Sequence, residues 1–206
     1  MTSSAVRARV VLLAGPSGSG KSTLAARAGL PVLRLDDFYR EGDDPLLPRD
    51  ATGRVDWDLP TSWHAADALA AVIELARTGT VHAPHYEIGA DRRIGGYQLD
   101  VGAAAVFVAE GLFADQIVAG ARDAGVLADA LVLTPSAGRT FTRRLVRDVA
   151  ESRKAVHVLV RRGIKLWHDH ATVVRRCVAT GMRPCTPAQA LRVLSDLAVA
   201  QGSAAK

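Results

Sequence analysis

The chain has 206 residues, 49% hydrophobic and 23% charged, enough apolar content to build the core of one α/β domain and too much for a disordered chain. No apolar run approaches a bilayer span, and the polar start Met1–Arg9 followed by the brief Val10–Ala14 is too short for a secretion signal, so a cytoplasmic protein is expected. The net charge of +5 and pI of about 9.7 admit a nucleic-acid partner, but lysine occurs only at Lys21, Lys154, Lys165 and Lys206, and the arginine-dominated charge reads as a coding bias toward Arg and Ala.

Arg9–Ala14 is a short apolar run ending at a glycine and is expected to form a buried parallel strand. Ser22–Ala28 reads as a helix closed by Gly29, and Pro31–Leu35 as a second strand leading into Asp36 and Asp37. Residues 40–60 hold three prolines and two glycines and form a long loop, a length usually tied to function or disorder. Thr61 or Ser62 is expected to cap a helix running to Arg77, with Gly79 as its stop. Val81–Ile88 and Tyr97–Val101, flanking a turn at Gly95-Gly96, suggest a small antiparallel flap. Ala104–Ala109 reads as a strand ending at Glu110-Gly111, Ala114–Ala124 as a helix and Ala130–Thr134 as a strand. Pro135 and Ser136 open a long basic helical stretch. Helices near Lys165–Ala179 and Pro187–Ala200 follow, the last with Thr186 as N-cap and Pro187 at its first position. Strands alternating with helices imply βαβ units and a mainly parallel sheet flanked by helices. Cys177 and Cys185 lack metal-ligand spacing and read as free thiols.

The segment Gly15, Pro16, Ser17, Gly18, Ser19, Gly20, Lys21 and Ser22, followed by Thr23, matches G-x-x-x-x-G-K-[ST] in full, with a strand before it and a helix after. Its glycines allow backbone N–H groups to close on phosphate oxygens, and the helix start adds positive potential. Lys21 then reaches the β- and γ-phosphates, and the Ser22 hydroxyl is a ligand for Mg²⁺. ATP with Mg²⁺ is therefore the expected nucleotide. No Asn-Lys-x-Asp guanine motif occurs, and the chain is too short for an oligomeric ATPase module.

Ligands of such sheets sit at the carboxyl ends of the strands. Acidic residues fall there at Asp36-Asp37 and Glu110, with Asp56 and Asp58 in the long loop. Phosphoryl transfer needs a carboxylate to take the acceptor proton or hold the metal, and three acidic signals at the edge that carries a phosphate loop suit that need. The basic stretch Arg139, Arg143, Arg144, Arg147, Arg153 and Lys154 reads as a lid of cations over the transferring phosphate.

Together these pieces, from about Val10 to Lys154, resemble the uridine kinase family and its relatives phosphoribulokinase and pantothenate kinase. Leu35–Tyr39 resembles the family's Asp-x-Phe-Tyr motif, which implies a catalytic base at Asp36, near the metal, and a substrate contact at Tyr39. Asp56–Pro60 is similar to the aromatic-Asp-His-Pro segment, which implies that Asp58 holds ribose hydroxyls beside Trp57. Pro84–Glu87 looks like Pro-x-Tyr-Asp, placing Tyr86 in the base pocket. Val108–Leu112 resembles the Glu-Gly-Ile strand end, which implies that Glu110 supports Mg²⁺ with Ser22 and Asp36. Arg144 and Arg147 resemble the arginine lid, and Asp91 and Arg93 keep the spacing of a base-reading histidine and an arginine. Leu59 stands where the family has histidine, Ser152-Arg153-Lys154 replaces Arg-Gly-Arg, Asp91 replaces the histidine, and the chain from about Val156 matches no familiar member.

The expectation is one P-loop NTPase-fold domain over 1–206, with a β flap at about 80–101, a helical lid at about 138–156 and C-terminal helices at 157–206. Its function is read as ATP-dependent phosphorylation of a small hydroxyl compound, a pyrimidine nucleoside before pantothenate, a sugar or a sugar phosphate. Lys21, Asp36, Arg144 and Arg147 carry the chemistry. Tyr39, Trp57, Asp58, Tyr86, Asp91 and Arg93 hold the acceptor. A rival of another class is a nucleotide-gated nucleic-acid binder using Arg161-Arg162, Lys165 and Arg175-Arg176. Aromatic interleaving there is thin, so solvated helix faces are the preferred reading. A membrane partner is not expected, and a homo-oligomer is compatible with the sequence.

Overall fold

The computed structural model describes residues 5–16, 19–134 and 171–204. The expected lid at 138–156, with Arg144 and Arg147, lies outside the described residues, as do Ser17 and Gly18 of the phosphate loop and Arg161, Arg162 and Lys165.

The centre is a five-stranded, wholly parallel sheet. Its strands are β1 (Arg9–Ala14), β2 (Val32–Arg34), β5 (Val106–Glu110), β6 (Leu127–Leu133) and β7 (Arg183–Cys185), in the order β2-β5-β1-β6-β7. β1 is buried from its second residue onward, as the continuous apolar run requires of a strand covered on both faces. Its side chains alternate between two cores. Val10, Leu12 and Ala14 join one layer with Phe107, Ala109, Ala130 and Val132. Val11 and Leu13 join the other with Val106, Val108, Leu131 and Leu133.

Helix α2 (Ala65–Thr78) covers the first face, burying Ala68, Ala71, Val72, Leu75 and Ala76, the i, i+3, i+4, i+7, i+8 stripe of an amphipathic helix. A 3₁₀ turn (Ala114–Ile117) running into helix α3 (Val118–Asp123) and helix α4, described at 171–179, pack on the same side. Helices α1 (Lys21–Arg27) and α5 (Pro187–Ala204) cover the second face, α5 through Ala190 and Leu194. α5 starts as expected, with a reciprocal capping box. The Gln189 N–H donates to Thr186 Oγ1 (3.3 Å) and the Thr186 N–H to Gln189 Oε1 (2.9 Å). Both cysteines are free and buried, and burial pushes Cys177 to about 12 and Cys185 to about 11, so both stay as thiols at neutral pH. Among the described residues no helix is long and apolar enough to cross a membrane.

Two local expectations are corrected. The flap is formed by β3 (Thr80–Glu87) and β4 (Arg92–Asp100), and its turn lies at Ile88–Asp91, not at Gly95-Gly96. Gly95 and Gly96 stand inside the ladder, opposite His85 and Pro84. The turn is instead closed by the Ala90 N–H on the Glu87 carbonyl (3.1 Å) and by Asp91 in the left-handed region (φ 49°), which aspartate tolerates. Helix α2 begins at Ala65, with His64 at the N-cap, and neither Thr61 nor Ser62 caps it. Ser62 is spent earlier, in a 3₁₀ turn over Pro60–Ser62, where its hydroxyl donates to the Leu59 carbonyl (2.7 Å). Trp63 then pairs with Tyr39 as an isolated antiparallel bridge, so the chain cannot turn helical before it. The expected stop at Gly79 is present.

Leu12 is fully buried at the centre of β1. Leu12→Ala should lower unfolding free energy by about 2–5 kcal/mol, read from the shift in urea midpoint at unchanged slope.

Candidate active site

The strand ends fix which residues can meet. Parallel pairing sets Leu13 opposite Glu110 and Arg34 opposite the same Glu110, so the loop after β1, the turn after β2 and the end of β5 open on one edge. A cavity of about 660 Å³ lies there. Gly20, Lys21, Ser22 and Thr23 form one wall, Asp36 and Glu110 the floor, and Tyr39, Trp57, Asp58, Tyr86, Ile88, Asp91 and Leu112 the remainder.

Gly20 occupies the N-cap of α1 at φ 89°, a left-handed conformation that suits glycine and aims the helix start at the cavity. Lys21 is only 7% exposed. Its ammonium donates to the carbonyls of Gly15 (2.9 Å) and Pro16 (3.4 Å), because the tight loop turns these oxygens inward and a buried ammonium needs acceptors. The Ser22 hydroxyl donates to Glu110 Oε1 at 2.7 Å, joining the loop to β5. Glu110 is buried, and burial raises its pKa. Neighbouring Asp36 raises it further, against the lowering effects of Ser22 and Lys21.

Asp36 and Asp37 part company. They sit in a 3₁₀ turn (Leu35–Phe38) and not on a strand, and with three residues per turn successive side chains point about 120° apart. Asp36 lines the cavity, and its Oδ1 accepts from the Leu112 N–H at 3.1 Å. Asp37 is fully buried behind it. It accepts from the Tyr86 N–H (3.0 Å) and the Tyr97 hydroxyl (3.4 Å), with Arg34 Nε 3.6 Å away, and so ties the flap to the sheet edge.

The aromatic wall is built around Tyr39, whose ring centroid lies 5.9 Å from each of Trp57, Tyr86 and Phe113. Burial, reinforced by Asp36 and Asp58, drives the Tyr39 phenol far above its ordinary value. Burial pushes Tyr86 up to about 12, and its hydroxyl donates to the Arg40 carbonyl at 3.0 Å. Both rings are therefore neutral platforms at physiological pH.

The structure brings Gly20, Lys21, Ser22, Thr23, Asp36, Tyr39, Trp57, Asp58, Tyr86, Asp91 and Glu110 to one cavity. Gly15, Pro16 and Ser19 of the loop are buried and do not line the cavity. Arg93 does not line it either. It reaches toward Asp67 of α2, 3.9 Å away, because β4 turns it to the helix side of the flap. Ile88 and Leu112 line the cavity without any sequence signal beyond their neighbours Tyr86 and Glu110. Arg176, read above as a solvated residue, is half-buried against Asp115, a pairing across 61 residues that periodicity does not reveal.

No protein-family model and no curated protein matches the chain. A solved structure of a candidate fructose transport system kinase from Silicibacter sp. TM1040 is similar at 19% identity and a TM-score of 0.55, covering 85% of this chain and 87% of that one. The fold is the α/β P-loop fold. A candidate uridine kinase from Bacillus stearothermophilus is similar at 18% identity over 66% of this chain and 76% of that one, with a TM-score of 0.47. Phosphoribulokinase from Rhodobacter spheroides is similar at 15% identity over 82% of this chain and 68% of that one, with a TM-score of 0.47.

Two measurements probe this geometry. The folded pKa of Glu110 is raised above its unfolded value, so its contribution to stability falls as pH rises from the unfolded value through the folded one. Without nucleotide or metal, Glu110→Gln should therefore gain in Tm relative to the wild type on going from about pH 4 to about pH 8, as thermal unfolding would show. Asp37→Asn should lose about 1–3 kcal/mol of stability through weakened buried hydrogen bonds, whereas Asp36→Asn should stay within about 1 kcal/mol, both by urea denaturation.

Proposed function

We propose that the protein is an ATP-dependent kinase that transfers the γ-phosphate to a hydroxyl of a small neutral acceptor of nucleoside type. The observation that carries this reading is the single cavity joining the start of α1 to the paired carboxylates Asp36 and Glu110 and to an aromatic wall. The loop from Gly15 to Thr23 holds the triphosphate, with Ser17 and Gly18 completing it in sequence. A wholly oxygen donor set, the Ser22 hydroxyl with the carboxylates of Asp36 and Glu110, fits Mg²⁺, and a cation there would relieve the burial of Glu110. Mg²⁺ brought with ATP supplies charge neutralisation on the phosphates.

The residues of the chain do the rest. Asp36, with one oxygen held by the Leu112 N–H, accepts the proton of the attacking hydroxyl. Lys21 leaves the Gly15 and Pro16 carbonyls for the β- and γ-phosphates. Arg144 and Arg147, outside the described residues, are assigned the charge of the transferring group. Tyr39, Trp57 and Tyr86 offer flat apolar faces for a base, and Asp58 accepts from a diol. The charge of the wall favours a neutral acceptor over a sugar phosphate or pantothenate. Among the described lining residues the acidic groups are Asp36, Asp58, Asp91 and Glu110 and the only cation is Lys21. Arg93, which could have received an anionic acceptor, faces Asp67.

The test is ADP release with Mg·ATP across uridine, cytidine, sugars, sugar phosphates and pantothenate. A nucleoside should raise turnover at least about tenfold over ATP alone. Polynucleotide-stimulated hydrolysis without nucleoside phosphorylation would overturn the reading in favour of a nucleic-acid binder. In the same assay Lys21→Ala should lower kcat by about 10³-fold or more while the protein stays folded. A variant within tenfold of wild type contradicts the proposed role of the loop.

A further inference from the structure

We propose that Arg176, on helix α4, is a positioning residue for Asp36, acting through the turn that follows β5. The proposal rests on the kinase reading above, in which Asp36 takes the acceptor proton.

The side chain of Asp115 is fully buried, and a buried carboxylate needs a partner in good geometry. Arg176 provides it as a two-pronged fork, with Nε donating to Asp115 Oδ2 at 2.9 Å and Nη2 to Oδ1 at 3.0 Å. Gln116 Nε2 adds a donor to Oδ2 at 2.7 Å. The same Nη2 also donates to the Leu112 carbonyl at 3.0 Å, and the guanidinium carbon lies 5.1 Å from the Phe113 ring centroid. One guanidinium therefore grips residues 112, 113 and 115 together.

Leu112 is also the residue whose N–H holds Asp36 Oδ1. Just before it, Gly111 lies so close that a Cβ there would sit 2.9 Å from Asp36 Oδ1 and 2.8 Å from Leu35 Cβ. The turn is thus wedged between the guanidinium on one side and the carboxylate on the other. Fixing the Leu112 carbonyl limits the rotation of that residue, and so the direction of the N–H that aims Asp36. A displacement of about 1 Å at a reacting group can cost about a hundredfold in rate, so this support bears on turnover even though Arg176 does not line the cavity.

A purely structural ion pair would also hold α4 to the body of the protein, and the test separates the two roles. Arg176→Lys keeps a positive charge beside Asp115 but replaces the fork with a single ammonium. Arg176→Gln removes the charge. With the full chain, Mg·ATP and cytidine or uridine, Arg176→Lys should lower kcat by about tenfold or more while the KM for ATP stays within about threefold. In an Asp36→Asn background, followed by single turnover, the same substitution should change the rate by less than about twofold, because a group that acts through Asp36 has nothing left to aim. By hydrogen exchange, amides of residues 111–115 should exchange faster in Arg176→Lys while those of β1 do not change. An equal loss of rate in both backgrounds, a rise in the KM for ATP matching the fall in kcat, or unchanged exchange at 111–115 would each overturn the proposal. If Arg176→Gln does not fold, the lysine variant carries all three arms. If the wild type phosphorylates neither nucleoside, the acceptor reading fails and the kinetic arms use whichever acceptor of the panel is turned over; if none is, the kinase reading and this proposal are overturned together.

Discussion

Parallel pairing of β1 with β5, and of β5 with β2, is the constraint on which the site depends. All three strands must end at the same edge, and the registers Leu13 to Glu110 and Arg34 to Glu110 set how evenly they end. A phosphate loop, an acidic turn and a buried glutamate separated by up to 88 residues then meet, with a 2.7 Å hydrogen bond from Ser22 to Glu110 closing the gap. A shift of one residue in the β1–β5 pairing would turn Glu110 to the opposite face of the sheet and separate it from the loop, and a shift of β2 on β5 would displace the turn that holds Asp36. The burial of β1 from its second residue and of the whole of β5 is what makes such a shift costly.

Buried carboxylates do two kinds of work around this edge. Asp37 and Asp115 are enclosed by protein donors, the Tyr86 N–H and Tyr97 hydroxyl for one and the Arg176 fork for the other, and they hold the flap and helix α4 in place. Asp36 and Glu110 stand at the cavity with fewer protein donors, and Asp36 adds to the burial that disfavours the charge of Glu110. The burial of Glu110 costs stability once that carboxyl is ionised. The separation of Asp36 from Asp37 is the local step that puts one carboxylate at the cavity and the other inside the fold.

Where the sequence misled, a local signal competed with a tertiary one. Gly95-Gly96 has the composition of a turn, but Asp91 can adopt a left-handed conformation, and the ladder from Thr80 to Glu87 is longer when the turn sits at 88–91. Ser62 has the chemistry of a helix cap, but its hydroxyl is drawn to the Leu59 carbonyl, and the Tyr39–Trp63 bridge delays the helix. Lys21 belongs to a loop rich in glycine and serine, yet its ammonium is buried on the inward carbonyls of Gly15 and Pro16. Of the partners that decided these outcomes only Tyr39, bridged to Trp63, lies far outside the window in which the signal was read.

By itself the sequence determined the elements whose causes are local: the buried strand at Arg9–Ala14, the loop from Gly15 to Ser22 with its helix, the stop at Gly79 and the capping box at Thr186. These depend on apolar continuity, on glycine conformation and on side chains that bond within three residues. It also carried the P-loop expectation, through the Gly15–Ser22 motif, and the expectation that acidic residues would fall at strand ends. Only the tertiary structure decided that Asp36 and not Asp37 lines the cavity, that Arg93 turns to Asp67, and that Arg176 is bound to Asp115. Those outcomes depend on strand register and on pairings between residues 26 to 61 apart, and no periodicity along a single chain encodes which of several like-charged residues will find the one buried partner.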